Sequence, residues 1–342
     1  MSKRSLHIDT LRATMIERLP ALDGLRGVAI LLVVASHTIS QAIPGGFGVT
    51  LFFFISGFII TRLLLGDNRL WPFYARRIAR LAPALLVFVA VTCLLSPVVP
   101  GDVAAALLYY ANYHQFTMAL DQTWSLAIEE HFYAVFPALL IALSVKRLQS
   151  ALIAFVVAVL LWRIALVVGG DIERIHRASD TRLDSIAYGC LLSIMIHHKS
   201  KWLGVLSSRR VLAFGAALLA ATFALRSPAF RESVRYSLQG LALMPLFCGL
   251  FYSNNAPAWL RATLESKALV YVGTVSYSLY LYNGFGSVLG VQNPLLGLFI
   301  VSVPATLASF YLVERPARRY LPVLWLKWLR WTSGLKARGG QT

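Results

Sequence analysis

Acidic residues are scarce in this chain. Of its 342 residues only 15 are Asp or Glu, against 32 Lys or Arg, and charged residues of both signs make up 14%. A soluble domain carries nearer a quarter, so an ordinary water-soluble globule is excluded. Cysteine is almost absent. Cys93, Cys190 and Cys248 each stand alone in apolar runs, without disulfide or zinc spacing, and read as small buried hydrophobes. There is no glycine-rich phosphate loop ending in Gly-Lys-Ser/Thr, no Gly-x-Ser-x-Gly elbow and no His-Glu-x-x-His helix. Their absence removes the usual signatures of a P-loop nucleotidase, a serine hydrolase and a zinc peptidase, and nothing argues for a bound metal. Residues 1–20 are polar and basic without an apolar stretch, so no cleaved signal peptide is expected and the first span should direct insertion.

What is present is hydrophobicity. Apolar residues make up 58% of the chain, and the mean hydropathy is +0.66. The apolar runs are about 20 residues long, which suits spanning helices and not a barrel. The expected fold is therefore an all-α polytopic membrane protein of about ten transmembrane helices. The expected spans are 22–42, 47–66, 81–99, 124–144, 151–169, 184–197, 210–226, 236–252, 269–290 and 295–313. The stretch 102–118, with Asp102, Asn112 and His114, reads as an outer loop or re-entrant piece.

Lys and Arg test that count. With the N-terminus inside, the inner segments hold 22 basic residues and the outer segments 5. This positive-inside asymmetry places both termini in the cytoplasm. It also accounts for most of the net charge of +17 without nucleic acid, which is not expected as a partner. The domain reading is a cytoplasmic N-terminal segment 1–21, a transmembrane domain 22–317 and a basic cytoplasmic tail 318–342. The tail carries Trp325, Trp328 and Trp331 and should lie on the inner leaflet among membrane lipids.

Ionisable residues inside spans are costly and mark sites. Arg26 and His37 are eleven helical steps apart, about 1100° of rotation, so they share one face. They are also about 16 Å apart along the axis. Taken singly, Arg26 can snorkel and His37 can bond a neighbouring helix; as a pair on one face they suggest a charged molecule entering from one side and reacting within. Arg76, Arg77 and Arg80 cluster on the approach to the third span. They suit phosphate binding, although three arginines alone are more simply a positive-inside anchor. The stretch Trp124-Ser125-Leu126-Ala127-Ile128-Glu129-Glu130-His131 opens a span from the outer side. There Glu129 can accept a proton or a sugar hydroxyl, with Trp124 as a stacking face, or the two carboxylates can simply favour the helix dipole. Gly45-Gly46-Phe47-Gly48 and Ser56-Gly57-Phe58 allow close packing or a helix break. Glu314-Arg315-Pro316 reads as a helix-end ion pair with a proline stop.

Taken in order, these pieces resemble the acyltransferase-3 membrane family. The resemblance rests on Leu22-Asp23-Gly24-Leu25-Arg26-Gly27 through His37, Gly48 to Ile59 around Ser56, Arg76-Arg77-x-x-Arg80, Trp124 to Tyr133, Arg182-Leu183-Asp184, Val275 to Leu281 and Glu314-Arg315-Pro316. It implies a ten-helix, multi-pass protein of the bacterial inner membrane. The implied enzyme transfers an acyl group, acetyl being expected, from acyl-coenzyme A to a hydroxyl of a carbohydrate, glycolipid or envelope polysaccharide. Acyl-coenzyme A would be a co-substrate, with no tightly bound cofactor. His37 and Arg26 would be central to catalysis with Glu129, and Arg76, Arg77 and Arg80 would lie near the donor. Trp124, Ser56 and Asp23 are candidates for substrate contact. Asn283 stands where many members have histidine, and His131 where glutamine is common. The chain reads as the form without a fused extracytoplasmic hydrolase-like domain, finishing transfer alone or with a periplasmic partner protein. The competing class is a secondary transporter of a small solute or glycan precursor. Transporters share broken spans and midplane charges, but the chain shows no inverted repeat.

Overall fold

The computed structural model describes residues 19–115, 119–253 and 255–325. The described residues are 81% helical, with no strand among them. The principal helices are α1 (Pro20–Thr38), α2 (Gly45–Gly66), α3 (Leu70–Leu95), α4 (Trp124–Ala142), α5 (Val145–Gly169) and α6 (Ser179–His197). They continue as α7 (Arg209–Ala224), α8 (Arg235–Phe251), α9 (Lys267–Thr274), α10 (Ser276–Tyr282) and α11 (Pro294–Trp325). Six helices are long and apolar enough to cross a membrane: α1, α2, α3, the α4 segment from Asp121, α5 and α11. The other four expected spans also fall on helix. Of these, α6 carries Asp180, Arg182 and Asp184, α7 and α8 are shorter, and the 269–290 span is broken at Val275 into α9 and α10.

The most buried of the six is α2, with Phe53, Phe54, Ile55, Phe58 and Ile60 at or near zero exposure. A helix apolar all round belongs in the interior. Its closest neighbour is α6, and two glycines make that crossing. A Cβ on Gly57 would lie 2.0 Å from the Ile186 carbonyl oxygen, and one on Gly189 would lie 2.1 Å from the Phe54 carbonyl oxygen. Without those hydrogens in place of side chains, the backbones could not meet. The second span is thus continuous, and its Gly45, Gly48 and Gly57 serve packing, not a break. The α1–α9 crossing works the same way: a Cβ on Gly273 would fall 1.7 Å from the Asp23 carbonyl oxygen.

Polar bonds tie the remaining helices. Arg163 of α5 and Asp184 of α6 are fully buried, with Nη2 donating to Oδ2 at 2.7 Å. The guanidinium also donates to the Ser233 and Thr181 carbonyls and to Ser237 Oγ of α8. An ion pair survives burial only with its remaining donors satisfied in this way. Outward faces are apolar, as on α5 with Ile153, Phe155, Val157 and Leu161.

Two further expectations are corrected, at the start of the third helix and at the end of the last. The third helix begins at Leu70, ahead of the expected span start at 81, so Arg76, Arg77 and Arg80 sit inside it. Pro316 does not stop the last helix, which runs on to Trp325; a π-helical stretch, Ser309–Glu314, precedes the proline and absorbs its missing donor. Glu314 pairs with Arg318 at 3.3 Å, not with Arg315, and accepts from Ser278 Oγ at 2.8 Å. The 102–118 stretch holds a short helix, Pro100–Leu107, with Asp102 buried against His114 at 2.7 Å. Residues 116–118, Trp328 and Trp331, and most of segments 1–21 and 318–342, lie outside the described residues.

Candidate active site

The first turns of α1 start at Pro20, which suits a first helical position because its missing N–H has no partner there in any case. From there the helix carries Asp23 and Arg26 at one end and His37 at the other. Arg26 Nη1 lies 3.5 Å from Asp23 Oδ1. Around it opens a cavity of about 200 Å³ lined by Arg26, Arg62, Arg80 and Arg318 together with Asp23 and Gly273. Four guanidinium groups from α1, α2, α3 and α11 thus converge on one hollow. Arg62 stands alone in its segment and Arg318 sits among Arg315 and Arg319; only the packing brings both to Arg26.

Arg26 and Arg80 also border a narrower cavity of about 60 Å³ deeper in the bundle. Ser56, Arg77, Ser125, Glu129, Ser276, Tyr277 and Tyr280 complete its polar lining, with Phe52, Phe53 and Leu126 among its apolar walls. Here Glu129 is held from three sides. It accepts from Ser56 Oγ at 2.8 Å and from Tyr133 OH at 2.8 Å, and Arg77 Nη2 lies 3.9 Å away. Arg77 in turn stacks 3.6 Å above the Tyr133 ring, a favourable cation–π contact. The Nε groups of Arg77 and Arg80 are buried and have no hydrogen-bond acceptor. Buried donors without a partner are rare, and these two fit an anionic ligand reaching the cavities.

His37 is not in that cavity. It lines a third, about 790 Å³ in volume, at the opposite end of α1, with His176, Arg226, Arg231, Arg235 and Gln239. Its imidazole is positioned by Asn283: Nδ1 and Asn283 Oδ1 are 2.7 Å apart. The Asn283 amide is itself oriented, because its Nδ2 donates to the Tyr280 carbonyl at 2.5 Å. Oδ1 must therefore face the ring, and an amide oxygen only accepts, so Nδ1 carries the proton. Nε2 is left with its lone pair and free to take a proton. Asn283, rather than Glu129, orients the imidazole. The polar path between the two regions runs through Tyr280, whose hydroxyl meets Ser125 Oγ at 2.6 Å while its carbonyl holds Asn283.

The remaining candidates are placed as follows. Arg76 is exposed and lines none of these cavities. Trp124 lies edge-on to Phe53 and to His176, at 6.5 and 6.1 Å between ring centroids, and lines neither the deep nor the His37 cavity. His131 bonds Ser179 Oγ at 2.7 Å, a link between α4 and α6. No group of three or more His, Cys, Asp or Glu residues able to hold a metal occurs among the described residues.

A family sequence model described as an acyltransferase domain matches residues 19–314. The chain belongs to the acyltransferase-3 family. Together with its apolar helices this makes it a multi-pass membrane protein. Among curated proteins it is 32% identical to one from Staphylococcus aureus (strain COL) provisionally named an O-acetyltransferase, over 78% of this chain and 50% of the relative. It is 28% identical to the peptidoglycan O-acetyltransferase OatA of Listeria monocytogenes, over 88% of this chain and 56% of that protein. It is 30% identical to YrhL of Bacillus subtilis (strain 168), provisionally named a peptidoglycan O-acetyltransferase, over 88% and 55%. The chain spans about half the length of the curated relatives it matches. No solved structure matches significantly.

Proposed function

We propose that this acyltransferase-3 protein is an O-acetyltransferase of the bacterial inner membrane. It would move an acetyl group from acetyl-coenzyme A to a hydroxyl of a cell-envelope carbohydrate. The observation that carries the reading is the polar division of α1: an arginine-lined hollow at one end, an oriented imidazole at the other, and a cavity between. The hollow of Arg26, Arg62, Arg80 and Arg318 suits the phosphates of a coenzyme A entering from the cytoplasm. Arg77 and Glu129 would line the path of the acyl-bearing arm. The acceptor would meet His37 from the outer side, in the wider cavity. The relatives' names support an envelope glycan as the acceptor class.

In the reaction His37 Nε2 takes the proton of the acceptor hydroxyl as that oxygen attacks the thioester carbonyl carbon. The carbon–sulfur bond breaks, and the departing thiolate takes up the proton, so the imidazole returns to its starting form. Asn283 stabilises the imidazolium formed in between and fixes which nitrogen reacts. A two-step route through an acyl-histidine uses the same nitrogen.

The test compares envelope glycans by mass spectrometry from cells expressing wild-type protein or none. An acetyl-sized mass increase that depends on the protein and disappears on mild base treatment supports the reading. Glycans of identical mass, together with proton-coupled solute uptake by the purified protein, would replace it with the transporter reading.

A further inference from the structure

The cavity around His37 has a charge character that the transfer reaction does not itself require. Three arginines line it, Arg226, Arg231 and Arg235, and no carboxylate does. Two other arginines at this end of the bundle have carboxylate partners: Arg174 bonds Asp180, and Arg177 meets Asp121 at 2.6 Å. Arg235 has Glu232 at 4.0 Å; its Nε, like those of Arg174 and Arg177, is buried without an acceptor. Arg226 and Arg231 form no ion pair among the described residues and are exposed to the cavity mouth. One helical turn from Arg235, on the same face of α8, Gln239 is 2% exposed. Its Nε2 reaches Thr222 at 3.4 Å, but its Oε1 has no partner. A buried amide oxygen left unpaired costs roughly 1–3 kcal/mol, a cost that an incoming donor would remove.

We infer that the His37 cavity binds an anionic sugar, its carboxylate or phosphate held by Arg226, Arg231 and Arg235 and one of its hydroxyls donating to Gln239 Oε1. This rests on the acetyltransferase reading and names the class of acceptor that the reading leaves open. A neutral glycan offers two unpaired arginines hydrogen-bond acceptors but no counter-charge. A bare anion offers nothing to Gln239. A charged sugar satisfies both, and it brings a hydroxyl into the cavity that holds His37.

Binding and transfer are to be measured separately on the full chain in phosphatidylcholine nanodiscs. The probes are N-acetylglucosamine, N-acetylglucosamine 1-phosphate and N-acetylmuramic acid, which present no charge, a phosphate and a carboxylate. The expected result is binding of both charged sugars about tenfold or more tighter than the neutral one. That preference should shrink with added salt and be lost in Arg226→Gln/Arg231→Gln. Gln239→Leu should weaken all three sugars alike. Equal binding of charged and neutral sugars overturns the inference. So does phosphate-sugar binding that is displaced by coenzyme A and indifferent to the double substitution, since that places the anion in the Arg26 hollow. Abolition of sugar binding by phosphatidylglycerol in the nanodisc overturns it in favour of a lipid headgroup. The charged-sugar preference with no acetyl transfer keeps the site and removes the acetyltransferase reading. Transfer to all three sugars at equal rates keeps that reading and removes the site.

Discussion

Asn283→Leu is the most informative single substitution. It keeps the approximate volume of the side chain and removes the 2.7 Å contact to His37 Nδ1. Two effects follow. The Tyr280 carbonyl loses the Asn283 Nδ2 donor, which costs about 1–3 kcal/mol of local stability if no water replaces it. The imidazole also loses the acceptor that fixes its tautomer. A net hydrogen bond between neutral groups is worth about 1 kcal/mol, and 1.36 kcal/mol corresponds to tenfold in rate. Transfer should therefore slow by about five- to tenfold. Loss of His37 itself should cost about 10²–10⁴-fold, the usual worth of a general base. The assay is acetyl transfer from acetyl-coenzyme A by purified protein, with folding checked by thermal denaturation. Asn283→Asp keeps an acceptor toward Nδ1 and should retain more activity than Asn283→Leu. An Asn283→Leu rate within twofold of wild type, or one as low as that of folded His37→Ala, would refute the positioning role.

Other predictions follow from the same geometry. Arg62→Gln should raise the KM for acetyl-coenzyme A several-fold with little change in kcat, whereas Arg76→Gln, outside the arginine hollow, should leave both near wild type; steady-state kinetics separates them. Glu129→Leu strands Arg77, Ser56 and Tyr133 together and should lower both the melting temperature and kcat, while Glu129→Gln, whose amide oxygen can accept from one hydroxyl while its NH2 donates to the other, should mainly lower kcat. Asp184→Ala leaves Arg163 buried without its counter-ion and should destabilise by about 3–5 kcal/mol, read as loss of folded protein in detergent with no specific change in KM. Gly189→Val forces α2 and α6 apart; overpacking costs about 1–3 kcal/mol or more, and the melting temperature should fall accordingly.

The helices were legible where local pattern decides them. Runs such as 47–66 have the length and continuous hydrophobicity of a span, and α2 occupies almost those residues. The shared face of Arg26 and His37 follows from helical period alone. What could not be read is what two distant segments do when they meet. Asn283 and His37 are 246 residues apart, and no local pattern marks them as partners. The resemblance, with histidine common at that position, does not single out Asn283 either. The same holds for Arg62 and Arg318, distant from Arg26 in sequence and gathered around it by packing. The break at Val275 was missed because 269–290 was read as one apolar run, although Gly273, Thr274 and Ser276 flank the junction. The split of the site into an arginine hollow and a separate His37 cavity reflects the pitch of α1. Side chains on one face still stand about 16 Å apart after eleven residues.

The central claim is that His37 performs the transfer while the arginine hollow at the other end of α1 holds the donor. The most direct measurement uses proteoliposomes of purified wild-type and His37→Ala protein, given acetyl-coenzyme A labelled in the acetyl group and a sugar acceptor. Coenzyme A binding is measured on the same preparations. The account predicts label in the acceptor for wild type, background label for His37→Ala, and equal coenzyme A affinity for both. Transfer by His37→Ala at the wild-type rate would contradict it, as would an equal loss of coenzyme A binding.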